Sequence, residues 1–435
     1  MWLLLVYVIK ELIIFNKAFI WIAVSWLKSD LRRTLLKLRY TIAVGWQKKQ
    51  PRAEVYLALN DPYSFMLVQV LPDLARRFNI EFRLFLVHDN VPGMAANIGL
   101  WRNWSLLDAN RLAEQYKLMA IDKKPKPEAL ITGQQLWQIK PKNLANAADI
   151  FRKTWFDEFD VHYQYSTPVI NHQIKNQARQ MSRGHYLPAT IYFLGDWFWG
   201  VDRLDHFERR LLELGLGRDK ERPLYQKNQL RFYPVNKGQA KAKALEVFVS
   251  IRSPYSYLGF MQARQLSEHY GIPLAIKPVL PMLMQGLPMP EIKQRYIFFD
   301  ALREAKTLGI PFNGFADPLG DGVVNAYQVF AYARAQGKAE AYMEKVFEAV
   351  YVNNLNLADR ANLALLCREL ELDYQQAIEY GEHYDWQAWV DLHQAEMAEM
   401  GFWGVPCFRY HGVECWGQDR LWQIEQEIID RIKSD

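Results

Sequence analysis

The sequence predicts an α/β protein built from two tandem copies of one fold, each with a helical insertion, preceded by an N-terminal helical segment. Three observations lead to this fold class: a buried strand that runs into a helix, a proline-led hairpin that runs into another helix, and the recurrence of both patterns earlier in the chain. We expect a helical segment, a first domain, a linker and a second domain at residues 1–50, 52–216, 217–243 and 244–435.

The first of these patterns is LEVFVSIRSPYSYLG, which covers Leu245–Gly259. Its apolar start is typical of a buried strand, and Pro254 is suited to the first turn of a helix because its missing N–H would be unpaired there. Ser253 therefore lies at the junction of strand and helix. Two interpretations remain open: the serine caps the helix, or it stabilises an anionic group at a helix N-terminus that favours negative charge.

The second pattern is GVPCFRYHGVECWGQDRL, which covers Gly404–Leu421. It predicts a β-hairpin that turns at Gly412, followed by the last helix. Pro406 precedes the first hairpin strand, where a cis peptide bond would present the backbone of Val405 to a ligand. The two patterns together outline a thioredoxin-type fold with a helical insertion between them.

These two motifs resemble those of the 2-hydroxychromene-2-carboxylate isomerase and kappa-class glutathione transferase group, whose members have DsbA-like thioredoxin folds. The resemblance covers roughly residues 244–432. Members often carry a G-N-x-P-P segment after their second strand, whereas this chain has PVLPMLMQGLPMP at Pro278–Pro290. The resemblance implies two tandem DsbA-like thioredoxin folds, with glutathione as the cofactor of the second.

The resemblance also implies a role for each matching residue. Ser253 would donate a hydrogen bond to the glutathione thiolate and lower the pKa of the thiol. The backbone of Val405, before the cis Pro406, would pair with the cysteinyl backbone of the tripeptide. Gln418 and Asp419 would hold the γ-glutamyl group, with Asp419 binding its ammonium and the helix N–H groups its carboxylate.

The function that follows is that of a glutathione-dependent isomerase or transferase. A bound thiolate adds reversibly to a conjugated carbonyl compound and allows bond rotation, or attacks an electrophile irreversibly. Two alternatives remain. A DsbA-like thiol–disulfide oxidoreductase is disfavoured by the lack of a CxxC motif, because Ser253 stands where the attacking thiol would be. A non-catalytic thioredoxin-fold protein would bind a peptide or partner in the same groove.

The first copy of the pattern begins at Ala53, with AEVYLALNDPYSF aligned to LEVFVSIRSPYSY at a separation of 192 residues. Leu187–Leu204, LPATIYFLGDWFWGVDRL, likewise matches the second motif, so the chain is an internal duplication. Asp61 stands where the second copy has Ser253. A carboxylate is a good N-cap but would repel a thiolate, so we expect the first domain to be degenerate and to serve as scaffold, dimer mimic or specificity element.

Composition limits the other functions. The net charge of +5 is spread along the chain, so nucleic-acid binding is not expected. The three cysteines show no metal-binding spacing, which fits a reducing, cytoplasmic setting without a bound metal. Cys407 and Cys415 alternate within predicted strands and are interpreted as buried small hydrophobes rather than as a redox pair.

Residues 1–50 are apolar, with tryptophans beside lysines and arginines. Charges interrupt every window of about 20 residues, and no signal-peptide pattern is present. Either peripheral membrane contact or packing on a protein surface fits this composition. The expected partner is a small-molecule substrate, and we favour a monomer because two units in one chain can mimic a family dimer. In the basic linker, LRFY is expected to form a short strand or to dock on a surface.

Overall fold

The computed structural model divides the chain into two compact units, which we describe separately. The first contains the described residues of 33–228 together with 290–296, and the second contains those of 229–289 and 297–435. Most of the predicted N-terminal segment lies outside the described residues. The structure describes residues 38, 40, 50–89, 91–94, 96–140, 142–161, 163, 167–218, 222–226, 229–234 and 243–434.

The first unit has a four-stranded sheet in the order β2-β1-β3-β4, in which β1 and β2 are parallel and the other pairs antiparallel. A 3-10 turn at Val201–Arg203 opens its last helix. Its elements are β1 (Arg52–Leu57), α1 (Pro62–Arg77), β2 (Glu81–Leu86), α2 (Ile98–Tyr116), α3 (Pro127–Ile139), α4 (Leu144–Phe156), α5 (Thr167–Ser182), β3 (Thr190–Phe193), β4 (Asp196–Trp199) and α6 (Leu204–Glu213).

The second unit has a four-stranded sheet in the order β6-β5-β7-β8, with the same parallel and antiparallel pairs. A 3-10 turn at Gln418–Arg420 opens its last helix. Its elements are β5 (Leu245–Val249), α7 (Pro254–Tyr270), β6 (Leu274–Pro278), α8 (Glu291–Leu308), α9 (Asp321–Ala335), α10 (Ala339–Tyr351), α11 (Arg360–Glu369), α12 (Tyr374–His383), α13 (Trp386–Glu399), β7 (Cys407–Tyr410), β8 (Val413–Trp416) and α14 (Leu421–Ser434).

The predicted strand–helix and hairpin–helix patterns are both confirmed, and a helical insertion separates them in each unit. β5 is one of the two central strands of its sheet and almost wholly buried. Leu245, Val247 and Val249 belong to the hydrophobic core that includes residues of α7, and the cations of Lys277 and Arg409 lie over the Phe248 ring. None of the described helices is both long and apolar enough to cross a membrane.

Strand pairing gives a residue-by-residue correspondence between the two sheets. Positions in β1 and β5 differ by 192, whereas positions in the two hairpins differ by 217 (Trp199 and Trp416). A repeated hydrogen bond fixes the second value: Gly200 donates to the Ala189 carbonyl at 2.7 Å, and Gly417 to the Pro406 carbonyl at 2.9 Å. The proline motif of Leu187–Leu204 is therefore displaced by one residue, and Ala189 occupies the position of Pro406.

The predicted linker is anchored to each unit by a glutamate on that unit's last helix. In the first unit, Glu208 accepts the N–H groups of Leu224 and Tyr225, each at 2.9 Å. In the second, Glu425 accepts the N–H groups of Arg231 and Phe232, each at 2.7 Å. The segment LRFY therefore docks on its unit, which was one of the two expectations for it.

Helix α7 and the hairpin of the second unit approach each other closely at Gly259. A Cβ atom there would lie 2.8 Å from Phe408 Cζ and 3.0 Å from Pro406 Cγ, so only glycine fits. The corresponding positions of the first unit are occupied by Leu67 and Ala189, which are both buried in one hydrophobic core. The larger side chain at this contact therefore belongs to the hairpin in the second unit and to the helix in the first.

We expect Gly259→Ala to destabilise the protein by about 1–3 kcal/mol, because the added methyl group overpacks the contact with Pro406 and Phe408. Gly99→Ala is the matched control. Gly99 is also helical, but a Cβ there meets only Asn97 Oδ1 at 3.5 Å, so this change should be neutral or stabilising. Denaturant unfolding of both variants measures the effect, and an unchanged midpoint for Gly259→Ala would contradict the close contact.

Candidate functional site

Ser253 is the N-cap of α7, as one of its two interpretations predicts. Its Oγ accepts the N–H of Ser256 at 3.2 Å, and its side chain is partly exposed. A hydroxyl that accepts a hydrogen bond still has its own proton to donate. The structural role is therefore confirmed, and a role toward a bound thiolate stays a prediction that the capping geometry allows.

A second serine of the same turn fixes the strand to the helix, and it does so in both units. Ser256 is fully buried and its Oγ accepts the N–H of Ser250 at 3.2 Å. Ser64 makes the same contact with the N–H of Ala58 at 3.1 Å. This serine therefore fixes the angle at which the helix leaves the strand. It thereby also fixes the position of the residue that caps the helix.

The peptide bond between Val405 and Pro406 is cis, as predicted. Pro406 is buried against α7, and its carbonyl is held by Gly417. Val405 is partly exposed and precedes β7, whose strand pairing begins at Cys407. The Val405 backbone thus lies outside the sheet hydrogen bonding, at a position where an extended ligand backbone could pair with it.

Gln418 and Asp419 lie in the 3-10 turn that opens α14. Gln418 is only 3% exposed, and its amide bonds to protein groups in three directions. It accepts from Gln262 Nε2 at 2.9 Å and donates to Glu304 Oε2 at 3.2 Å and to Asp419 Oδ1 at 2.7 Å. Asp419 is partly exposed and is the more accessible of the two residues predicted to hold a γ-glutamyl group.

One ion pair and one hydrogen bond close to Ser253 in sequence were not predicted from the sequence. Arg252 makes a bidentate contact with Asp317, with both N–O distances at 2.8 Å, and so ties the strand–helix junction to the loop before α9. Tyr255 donates to the buried carboxylate of Asp300 on α8 at 2.7 Å. The two contacts join the residues on either side of Ser253 in this junction to the insertion.

The tyrosine–aspartate contact recurs in the first unit, where Tyr63 donates to Asp108 at 2.9 Å. Both tyrosines and both aspartates are separated by 192 residues, and each aspartate begins the pattern D-A-x-R-x-A. This repeated pattern was the sequence signal that could have identified Asp300. It also extends the correspondence between the units into their first insertion helices.

The aromatic residues near this end of the second sheet pack on one another. Tyr257 stacks on Tyr351 with ring centroids 5.0 Å apart, and Phe312 lies 5.2 Å from Tyr351. The Tyr257 hydroxyl donates to the Pro311 carbonyl at 2.6 Å. These rings are part of the hydrophobic core between α7 and the insertion.

Cys407 and Cys415 are buried and are not joined in a disulfide, as expected of small hydrophobes. The Cys407 thiol donates to the Gly404 carbonyl at 2.8 Å. Burial raises the pKa of the Cys407 thiol well above its usual value, which disfavours the thiolate that disulfide exchange requires.

The first unit differs at both chemical positions. Asp61, in place of Ser253, caps α1 and is 4% exposed; its Oδ2 accepts from Ser64 N and Oγ at 2.8 Å and 2.6 Å. Burial raises the pKa of Asp61 to about 7. Ala189, in place of Pro406, follows a trans peptide bond.

A four-stranded sheet with one parallel pair, a cis-proline before its third strand and a helical insertion defines a protein domain of the thioredoxin class. Residues 244–429 match the family model of the DSBA-like thioredoxin domain. This part of the chain is therefore a DsbA-like thioredoxin domain.

Solved structures give weaker likenesses, and no curated protein matches the sequence. The 2-hydroxychromene-2-carboxylate isomerase is 22% identical, with a TM-score of 0.38, over 43% of this chain and 95% of that one. The cytosolic disulfide reductase DsbM from Pseudomonas aeruginosa is 20% identical, with a TM-score of 0.34, over 44% and 100%. DsbM solved with GSH is 18% identical, with a TM-score of 0.33, over 43% and 100%.

We expect Asp61→Asn to change the pH dependence of stability. Between about pH 4 and pH 7 the folded protein keeps the Asp61 proton whereas the unfolded chain loses it, so the free energy of unfolding falls as pH rises. Asparagine still caps the helix but does not ionise. The free energy of unfolding of the variant, relative to that of wild type, should therefore increase by an amount on the order of a few kcal/mol when the pH is raised from 5 to 8.

Urea unfolding at the two pH values measures this gain. Asp359→Asn is the matched control, because Asp359 is also an aspartate N-cap but is exposed to solvent. Its effect should be the same at both pH values. An equal effect of Asp61→Asn at pH 5 and pH 8 would show that the Asp61 carboxyl does not hold its proton in the folded protein.

Proposed function

We propose that the second unit is a glutathione-dependent isomerase or transferase that acts on a conjugated or electrophilic small molecule. One observation carries the proposal: Ser253 and the cis Val405–Pro406 peptide are aligned along a single helix. Ser253 caps α7, and Pro406 contacts the same helix at Gly259. Six residues of helix span about 9 Å, less than the roughly 10 Å length of an extended tripeptide, so both points lie within reach of one bound glutathione.

The proposed role of Ser253 is to stabilise the thiolate of bound glutathione. Its hydroxyl accepts from Ser256 N–H, which polarises its own O–H as a donor. The N-terminus of the 17-residue helix α7 adds a positive electrostatic potential at the same point. Both effects favour the charged form of the thiol and lower its pKa.

The proposed role of Val405 is to orient the cysteinyl residue of glutathione. The Val405 backbone is available for antiparallel pairing because it precedes the strand that begins at Cys407. Pro406 cannot shift toward the helix, since its ring already contacts Gly259. The tripeptide would therefore be held with its sulfur toward Ser253 and its γ-glutamyl group toward Asp419.

The proposed chemistry needs no redox change. The thiolate adds to the β-carbon of a conjugated carbonyl compound, forming a C–S bond while the alkene electron pair moves to the carbonyl oxygen. The former double bond rotates, the electron pair returns, and the C–S bond breaks to release the thiolate and the isomer. In a transferase, the thiolate would instead displace a leaving group and remain bonded to the product.

For the first unit we propose a non-catalytic role as a scaffold or specificity element after tandem duplication. Asp61 replaces the hydroxyl of Ser253, and Ala189 replaces the cis-proline. The shared strand order, the two constant residue separations and the repeated tyrosine–aspartate contact support the duplication.

We expect glutathione to bind the full-length protein with its thiol largely ionised at pH 7.5, which thiolate absorbance near 240 nm measures. Ser253→Ala should raise the pKa of the bound thiol by roughly one unit while the affinity changes little. Ser253→Gly distinguishes the effect of the hydroxyl on the thiol from its effect on helix capping, because glycine at an N-cap costs only a few tenths of a kcal/mol of stability. Both variants should lose the thiolate signal equally.

Ser267→Ala, at the other end of α7, is the control and should behave as wild type. Its hydroxyl donates to the Ile272 carbonyl, away from the proposed site. Absence of glutathione binding to wild-type protein by isothermal titration would contradict the proposal. An unchanged thiolate signal in Ser253→Ala would exclude the role given to Ser253.

The protein should not catalyse the reduction of insulin by dithiothreitol. Serine occupies the position of the attacking thiol, and all three cysteines of the chain are buried. A rate above the uncatalysed background that disappears in Cys407→Ala would instead favour a thiol–disulfide oxidoreductase.

A further inference from the structure

The two units also differ in the interior beneath the turn that opens their last helices. Both turns carry the sequence Asp-Arg-Leu, and both are packed between the first helix of the fold and the first helix of the insertion. The three side chains that line this interior are polar in the second unit and apolar in the first. They are Gln262, Glu304 and Gln418 in the second unit, and Val70, Leu112 and Val201 at the corresponding positions of the first.

The polar residues form a chain of hydrogen bonds that ends at Asp419. Gln262 Nε2 donates to the Leu258 carbonyl at 3.2 Å and to Gln418 Oε1 at 2.9 Å. Gln418 Nε2 then donates to Glu304 Oε2 at 3.2 Å and to Asp419 Oδ1 at 2.7 Å. The two N–H bonds of each amide are thereby directed at two acceptors, so neither amide can rotate without breaking a bond.

The fold itself does not require this polar chain. Val70, Leu112 and Val201 are each at most 1% exposed and fill the same place in the first unit with an apolar core. Burying an amide or a carboxylate is costly unless every hydrogen bond is made, and apolar residues of similar size are often as stable or more so. Of the four side chains, Asp419 is the one that is partly exposed. The polar chain can therefore act on a ligand through Asp419.

We infer that Gln262, Gln418 and Glu304 are positioning residues that hold Asp419 to receive the γ-glutamyl ammonium of glutathione. This inference rests on the proposed function and changes one part of the sequence analysis. Gln418 acts through Asp419 instead of contacting the tripeptide. The first unit keeps the Asp-Arg-Leu turn but has Val201 in place of Gln418.

The test transfers the interior of the first unit into the second, in the full-length protein, as Gln262→Val, Glu304→Leu and Gln418→Val together. Isothermal titration then compares glutathione with glutaryl-cysteinyl-glycine, which lacks only the γ-glutamyl ammonium. We expect the triple variant to bind glutathione at least tenfold more weakly, while its affinity for the deaminated analogue changes less than twofold. The preference for the ammonium is thus the measured quantity.

A triple variant that keeps the wild-type preference for glutathione would overturn the inference and leave the proposed function intact. Wild-type protein that binds neither tripeptide would overturn the proposed function itself, and the inference with it. Equal weakening of both ligands would also contradict the positioning role, because it would indicate general damage to the site.

Two single variants keep the test decisive if the triple variant fails to fold. Gln418→Met preserves volume but removes the bond to Asp419, so it should lose the preference for glutathione over the analogue. Glu304→Gln keeps an acceptor oxygen for Gln418 and should retain that preference. The opposite pattern would show that Glu304 acts through its charge and would refute positioning by hydrogen bonds.

Discussion

The contact between Gly259 and the cis Pro406 is the constraint on which the second unit depends. Because position 259 has no side chain, the proline ring reaches the surface of α7, and the hairpin follows it into place. The Pro406 carbonyl then accepts the Gly417 N–H, which sets the start of the 3-10 turn and the position of Asp419. The glycine at position 259 thus links the packing of the hairpin on α7 to the position of the turn that opens α14.

The two units show that one scaffold can be built with different interiors. Both keep the serine that joins strand to helix, the tyrosine–aspartate contact and the glutamate that anchors the linker. These shared contacts maintain the fold, since they occur whatever residue caps the helix. The units differ in the number of described insertion helices, and also at the cap, at the cis-proline and beneath the last turn, the three places that the proposed glutathione site involves.

Features encoded by short stretches of sequence were predictable. Pro254 after Ser253, and Pro406 before a hairpin, each determine their own backbone geometry, so the cap and the cis peptide followed from local chemistry. The contacts of Asp317 and Glu304 were not predictable, because helical periodicity does not tell which insertion helix faces α7. The correspondence of Ala189 with Pro406 also escaped, since matching the proline motifs by sequence hides a one-residue shift that only strand pairing reveals.

The opposite placement of bulk in the two units limits how their segments can be exchanged. A helix carrying Leu67 beside the second hairpin would drive a leucine into Pro406, and a helix carrying glycine beside Ala189 would leave a void. Helix and hairpin must therefore be inherited together. A chimaera that exchanged only the helix or only the hairpin between the units would therefore be destabilised at this contact.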